Sequence, residues 1–153
     1  MEKLDDTDLK ILRILQKNSK KTTKEIAEML NLTASPIYER IKRLENKGYI
    51  KKYVALLDKV QLNNPITAIC MVSLRYHNEG FIDTFENQIK ALKEVQECYH
   101  MAGKVDFFLK INMDSLESYH EFVRLKLSKI ENIGVLESSF VLKEMYSTTE
   151  LYI

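Results

Sequence analysis

The sequence is poor in glycine and proline, with four and two in 153 residues. Long flexible linkers between its parts are therefore not expected. Cysteine is limited to Cys70 and Cys98, far apart along the chain. That usage predicts a reducing compartment and free thiols packed as small strand residues. No apolar run approaches the ~20 residues that span a bilayer. The first residues, Met1-Glu2-Lys3-Leu4-Asp5-Asp6, lack the apolar stretch of a leader. Both absences predict a cytoplasmic protein with no membrane partner. His77, His100 and His120 have no metal-ligand spacing with one another or with the cysteines. There is no Gly-rich phosphate loop, nucleophile elbow or paired-carboxylate motif. No catalytic residue, metal or cofactor is expected, which argues against an enzyme.

What is present is the material of a folded protein. Hydrophobic residues make up 45% and charged residues 29%, enough of each for a core and a hydrated surface. The net charge of +1 conceals a division. Residues 1–60 carry 14 basic and 9 acidic side chains, a balance of +5, and the remainder carries −4. Such asymmetry suggests one part that meets a polyanion and one that does not.

The first fifty residues read as three short helices. Asp5 is a good N-cap with Asp8 three residues on, where acid favours the positive helix end. Leu9, Leu12 and Leu15, with Ile11, then form an apolar stripe. Thr22 and Glu25 bracket Thr23-Lys24 as a capping box, with Ile26, Ala27 and Leu30 facing inward behind it. Asn31-Leu32-Thr33 makes a tight turn. A third helix starts near Thr33, carries Ile37, Ile41 and Leu44 inward, and stops at Gly48, where a left-handed backbone costs glycine nothing. Pro36 falls in its first turn, where the missing amide is harmless. Ile50 to Leu57 then reads as a strand.

Beyond Pro65 the pattern changes to β-α-β-β-α-β. Strands are predicted from Ile66 to Tyr76, Val95 to Met101, Asp106 to Met113 and Val135 to Met145. One helix is capped by Asn78 and bears Phe81, Phe85, Ile89 and Leu92. A second, capped by Asp114, bears Leu116, Tyr119, Val123 and Leu127. The expected fold is α+β: an N-terminal winged helix-turn-helix over residues 1–52, a connecting strand and linker over 53–64, and a C-terminal ferredoxin-like domain over 65–153.

Two helices joined by a turn of about three residues form the core of a DNA-binding helix-turn-helix, whose second helix enters the major groove. Stepping 100° per residue from Ile37 keeps Ile41 and Leu44 on one side. Ser35, Tyr38, Glu39 and Lys42 fall opposite, as candidates for base edges. Arg43 and Arg40 lie further round, as candidates for phosphates. Thr33 and Pro36 at the helix start, and Lys47 and Lys51 at its end and on the wing, complete the candidate surface. Six basic residues between Thr33 and Tyr53 face only Glu39 and Glu45, suiting a phosphate backbone.

Leu4-Asp5-x-x-Asp8-x-x-Ile11-Leu12, Glu25-Ile26-Ala27 and Arg40-Ile41-Lys42-Arg43-Leu44-Glu45-x-x-Gly48-x-Ile50 resemble the Lrp/AsnC family, the feast/famine regulators. Glu97-Cys98-Tyr99 followed by Gly103-x-x-Asp106-Phe107 is similar to that family's regulation-of-amino-acid-metabolism (RAM) domain. The resemblance covers nearly the whole chain. It implies a sequence-specific DNA-binding transcriptional regulator responsive to an amino acid or related effector. It also implies a homodimer, and often tetramers or octamers, on a pseudopalindromic operator. By the same resemblance an effector site would use His100, Met101, Ala102, Gly103 and Asp106, with Glu137, Ser138 and Ser139 of the last strand. Ala102 stands where many relatives carry threonine, and Ser138-Ser139 where they are threonine-rich.

Read locally, Gly103 and Asp106 also suit a plain turn, with glycine at a positive φ and aspartate accepting backbone bonds. Independently, one four-stranded sheet with helices for a single face leaves Ile69, Met71, Phe108 and Val141 to be covered, which predicts dimerisation. A DNA-compacting protein without effector, or a ferredoxin-like enzyme, are the alternatives.

Overall fold

The computed structural model describes residues 3–153. Met1 and Glu2, part of the stretch read as free of a leader, lie outside the described residues. The chain forms two compact units. One runs to Leu56 and includes Tyr146–Ile153; the other is Leu57–Met145.

In the first unit, α1 (Asp6–Lys17), α2 (Thr23–Leu30) and α3 (Ala34–Asn46) enclose a core of Ile11, Leu15, Ile26, Ala27, Ile37 and Leu44. The expected Thr22–Glu25 capping box forms, and Asp5, expected as a cap, closes a second box with Asp8. The Asp8 amide donates to Asp5 Oδ1 at 2.8 Å, and the Thr22 amide donates to Glu25 Oε2 at 2.7 Å. Asn31 ends α2 in the left-handed region, with φ 54°, which asparagine tolerates better than most residues. After α3, Gly48 has φ 75°. Its amide donates to the Glu45 carbonyl and that of Tyr49 to the Leu44 carbonyl, the paired bonds of a Schellman stop.

In the second unit, β1 (Ile66–Leu74), α4 (Glu79–Lys90), β2 (Val95–His100), β3 (Phe107–Met113), α5 (Leu116–Leu125) and β4 (Ile133–Phe140) follow the expected order. The sheet order is β2-β3-β1-β4, with each neighbouring pair antiparallel. Alternation sends Ala68, Cys70, Val72 and Leu74 of β1, and Phe107, Leu109, Ile111 and Met113 of β3, into the core with Phe85, Ile89, Tyr119 and Phe122 of the helices. Ile69, Met71 and Phe108 take the helix-free face, as predicted, and are only half-buried. Cys70 is buried and Cys98 exposed, and both are free thiols.

Three expectations fail. Ile50 to Leu57 forms no strand. Its side chains include exposed Val54, Leu56 and Leu57, so β-type composition is present without a neighbouring strand to complete a ladder. The last strand stops at Phe140 rather than Met145. Its pairing partner β1 begins at Ile66, so little remains for later residues to pair with beyond the bond from the Val141 amide to the Thr67 carbonyl. The cap of α5 is Ser115, whose hydroxyl accepts from the Ser118 amide at 3.1 Å. Asp114 sits one residue too early and instead bonds Ser118 and Ser115, which holds its carboxyl below the usual range.

Candidate nucleic-acid interface and effector turn

The outward side of α3 is built by its apolar side. Ile37 and Leu44 are buried and Ile41 is partly so. That fixes the helix rotation, and Thr33, Ser35, Pro36, Tyr38, Glu39 and Lys42 are exposed on the same helix, with Lys47 and Lys51 exposed beyond it. Lys42 donates to Glu45 at 2.9 Å and lies 5.8 Å from the centre of the Tyr38 ring. Glu45 also accepts from the Tyr53 hydroxyl at 2.9 Å. Burial, then that bond, push the Tyr53 hydroxyl up to about 12.

The start of α3 differs from every other α-helix among the described residues. Asp5, Thr22, Asn78 and Ser115 each cap their helix with a side-chain bond. Thr33 makes none, and the first turn of α3 holds no acid. Its leading amides therefore have no cap side chain, and its positive helix end no acid, to satisfy them.

Arg40 and Arg43, expected toward phosphates, stay partly exposed but pair with acids of α1. Arg40 Nη1 lies 2.6 Å from Asp5 Oδ2 and 2.7 Å from Asp8 Oδ1, and Arg43 Nη2 lies 2.6 Å from Asp8 Oδ2. Asp8 is only 2% exposed. This acid–arginine pairing across α1 and α3 was missed from the sequence, where Asp8 reads only as a helix-start acid. The resemblance motif listed both partners, but nothing in it pairs residues 32 and 35 positions apart.

At the other candidate site, Gly103 has φ 151°, a backbone region glycine alone enters readily. Asp106 works within the turn. Its carbonyl accepts from the Met101 amide at 2.8 Å, and its amide donates to the Val72 carbonyl at 2.9 Å. Its Oδ2 accepts from the Leu74 amide at 2.7 Å and faces His77 Nε2 at 3.0 Å. His100 stacks on Phe107 with ring centres 4.8 Å apart. Met101, Ala102 and Gly103 are exposed. The local reading of the turn is therefore realised.

The last-strand candidates do not join this cluster within one chain. The turn links β2 to β3, whereas Glu137, Ser138 and Ser139 lie on β4, beyond β1. Two strand spacings separate β3 from β4, roughly 10 Å. Alternation divides them further. Ser138 pairs with Cys70 on the helix side, while Glu137 and Ser139 pair with Met71 and Ile69 on the helix-free side. The Tyr119 hydroxyl bridges Ser138 Oγ at 2.6 Å and Cys70 Sγ at 2.7 Å. Burial, then the Cys70 contact, raise the Tyr119 hydroxyl above its ordinary range.

Among the described residues no group of His, Cys, Asp and Glu could hold a metal, and no helix is long and apolar enough to cross a membrane.

Two family models match this chain. Residues 4–51 match a winged helix-turn-helix DNA-binding family model, and residues 67–151 match the Lrp/AsnC ligand binding domain. The chain is 31% identical over 145 residues to the Bkd operon transcriptional regulator of Pseudomonas aeruginosa, covering 95% of each protein. It is 30% identical over 150 residues to a leucine-responsive regulatory protein of Rhizobium meliloti, covering 98% of this chain and 96% of that one. A transcriptional regulator from Neisseria meningitidis, solved as an L-Met complex, superposes with TM-score 0.93 and 33% identity over 98% of this chain and 97% of its own.

Proposed function

This chain belongs to the Lrp/AsnC family of DNA-binding transcriptional regulators, and from that premise we propose that it acts as a cytoplasmic homodimer whose two α3 helices read a pseudopalindromic operator under control of a free amino acid. The observation that carries this is the polar side of α3, exposed from an uncapped, acid-free first turn. An uncapped helix start attracts a phosphate, which anchors the helix without reading sequence. Ser35, Tyr38 and Glu39 are then the side chains aimed at base edges, and Lys42, on the same side and held by the surface partner Glu45, is the one that turns to a phosphate. Glutamate accepts from a cytosine amine.

Two features support the dimer. The helix-free face carries half-buried Ile69, Met71 and Phe108, which a second sheet would cover. Residues 50–57 have strand composition without a partner, and a twofold copy supplies one. Two recognition helices would then match two half-sites. Further assembly into tetramers or octamers would bring one chain's Gly103 turn toward another chain, supplying neighbours it lacks alone.

The effector class follows from relatives named for leucine response or solved with L-Met. A free amino acid presents an ammonium and a carboxylate. Asp106 Oδ1 is the remaining acceptor for the first, and amides around His100 to Gly103 suit the second. Ser138, engaged with Tyr119, is less available than Glu137 and Ser139.

Fluorescence anisotropy on cognate and scrambled duplexes tests the DNA reading. A strong preference for cognate DNA is expected, and equal affinity would instead describe a non-selective DNA-compacting protein. A thermal-shift screen of the twenty amino acids tests the effector, with any stabilisation expected to vanish in Asp106→Ala.

A further inference from the structure

We propose that Asp5 and Asp8 are positioning residues for DNA reading: they hold Arg40 and Arg43 on the protein side of α3, so that phosphate contact falls to the lysines. The proposal rests on α3 being the reading helix. The geometry is specific. Each oxygen of the Asp8 carboxylate takes one guanidinium, Arg40 at 2.7 Å and Arg43 at 2.6 Å. Asp5 takes Arg40 a second time at 2.6 Å. The same two acids close the capping box of α1. One pair of carboxylates therefore both caps α1 and ties the arginines of α3 to it, on the rotation that Ile37 and Leu44 set.

Burial decides which cations can leave for DNA. Asp8 is 2% exposed, and moving either arginine to a phosphate would strip a buried carboxylate of a counter-charge, which is strongly unfavourable. Lys42 faces a different choice. Its partner Glu45 is on the helix surface, three residues away, and exposed pairs of this kind hold weakly. Lys42 can exchange Glu45 for a phosphate at small cost, whereas Arg40 and Arg43 cannot abandon Asp8. A sequence count that assigns all six basic residues to DNA would overstate the phosphate contacts by two.

The test is salt-dependent anisotropy on cognate and scrambled duplexes with the full-length protein. Lys42→Gln should flatten the dependence of log affinity on log salt by about 0.9, the value for one lost phosphate contact. Arg40→Gln and Arg43→Gln should leave that slope unchanged while lowering the cognate-to-scrambled ratio by about tenfold, the scale of one misread base pair. Asp5→Asn keeps the cap, since asparagine caps as well as aspartate, but removes a charge from Arg40. Its cognate-to-scrambled ratio should fall without a change of slope. Flattening by about 0.9 in either arginine variant would overturn the proposal, as would an equal rise of both affinities in Asp5→Asn.

Thermal unfolding without DNA gives a second readout. Asp8→Asn and Arg43→Gln should be non-additive, and additive shifts would refute the clamp. If Asp8→Asn does not fold, Asp5→Asn with Arg40→Gln takes its place in the cycle. Loss of all binding by the unmodified protein at low ionic strength would sink the α3 reading and the positioning role together, while the unfolding cycle would still report the clamp.

Discussion

The outward side of α3 and the turn at Gly103 are both polar surfaces, but their polar groups stand in opposite conditions. On α3 the first turn has no cap and the exposed side chains hold at most surface partners. At the turn, Asp106 already uses its amide, its carbonyl and one carboxylate oxygen, and His100 lies against Phe107. The first surface leaves its polar groups open to solvent. The second is largely satisfied within the fold, with Asp106 Oδ2 already engaged by the Leu74 amide and His77. One chain alone thus offers an open polar surface on α3 and a turn whose polar groups are mostly partnered.

Four substitutions break or sharpen that contrast. The largest effect is expected from Ile37→Ala, which removes the residue that sets the rotation of α3. A buried isoleucine truncation costs about 2–5 kcal/mol, and among the described residues the first unit has six buried apolar side chains to absorb it, against fourteen in the second. Urea denaturation should show this unit unfolding first; the same cost spread evenly over both would remove the contrast. Asp106→Ala comes next. It orphans the Leu74 amide and should destabilise the second unit by about 1–3 kcal/mol without any effector present. Unchanged stability would mean that the carboxylate is held in reserve for a ligand.

Thr22→Ala should cost about 0.5–2 kcal/mol, because a working N-cap is lost. The same capping box gives a pH signature. The Thr22 amide first, then Lys21 and the Thr22 hydroxyl, hold the Glu25 carboxyl down to about 2 from an ordinary 4.5. A depressed carboxylate lends stability above its unfolded value and loses it as pH falls through the folded one. Circular dichroism should therefore show helix stability declining between about pH 4.5 and 2, and Thr22→Ala should shrink the decline. The smallest effect is expected from Thr33→Ala, below about 0.5 kcal/mol in thermal unfolding, because Thr33 caps nothing. Equal losses at Thr22 and Thr33 would refute the claim that α3 starts open.

Local chemistry was the legible part. The Asp5 cap, the Thr22–Glu25 box, the Gly48 stop, the Asn78 cap and the buried stripe of α3 all follow from residues close along the chain. The β-α-β-β-α-β order followed from periodicity. The choice of Ser115 over Asp114 was not legible, because both residues cap well and only the onset of helical backbone separates them. The strand expected at Ile50 to Leu57 failed for a different reason. Composition reports that a segment suits a sheet, not that a partner lies beside it.

By itself the sequence determined the caps of α1, α2 and α4, the order of strands and helices along the chain and the face of α3 that turns outward, because each depends on interactions a few residues long. Only the tertiary structure decided that Arg40 and Arg43 belong to Asp5 and Asp8, that Asp106 serves Leu74 and His77, and that Ser138 parts from Glu137 and Ser139. Those outcomes join residues about thirty or more positions apart or opposite faces of one sheet. Charge and spacing allow several partners for such groups, and burial selects among them, since a carboxylate taken out of water must keep the cation that folding places against it.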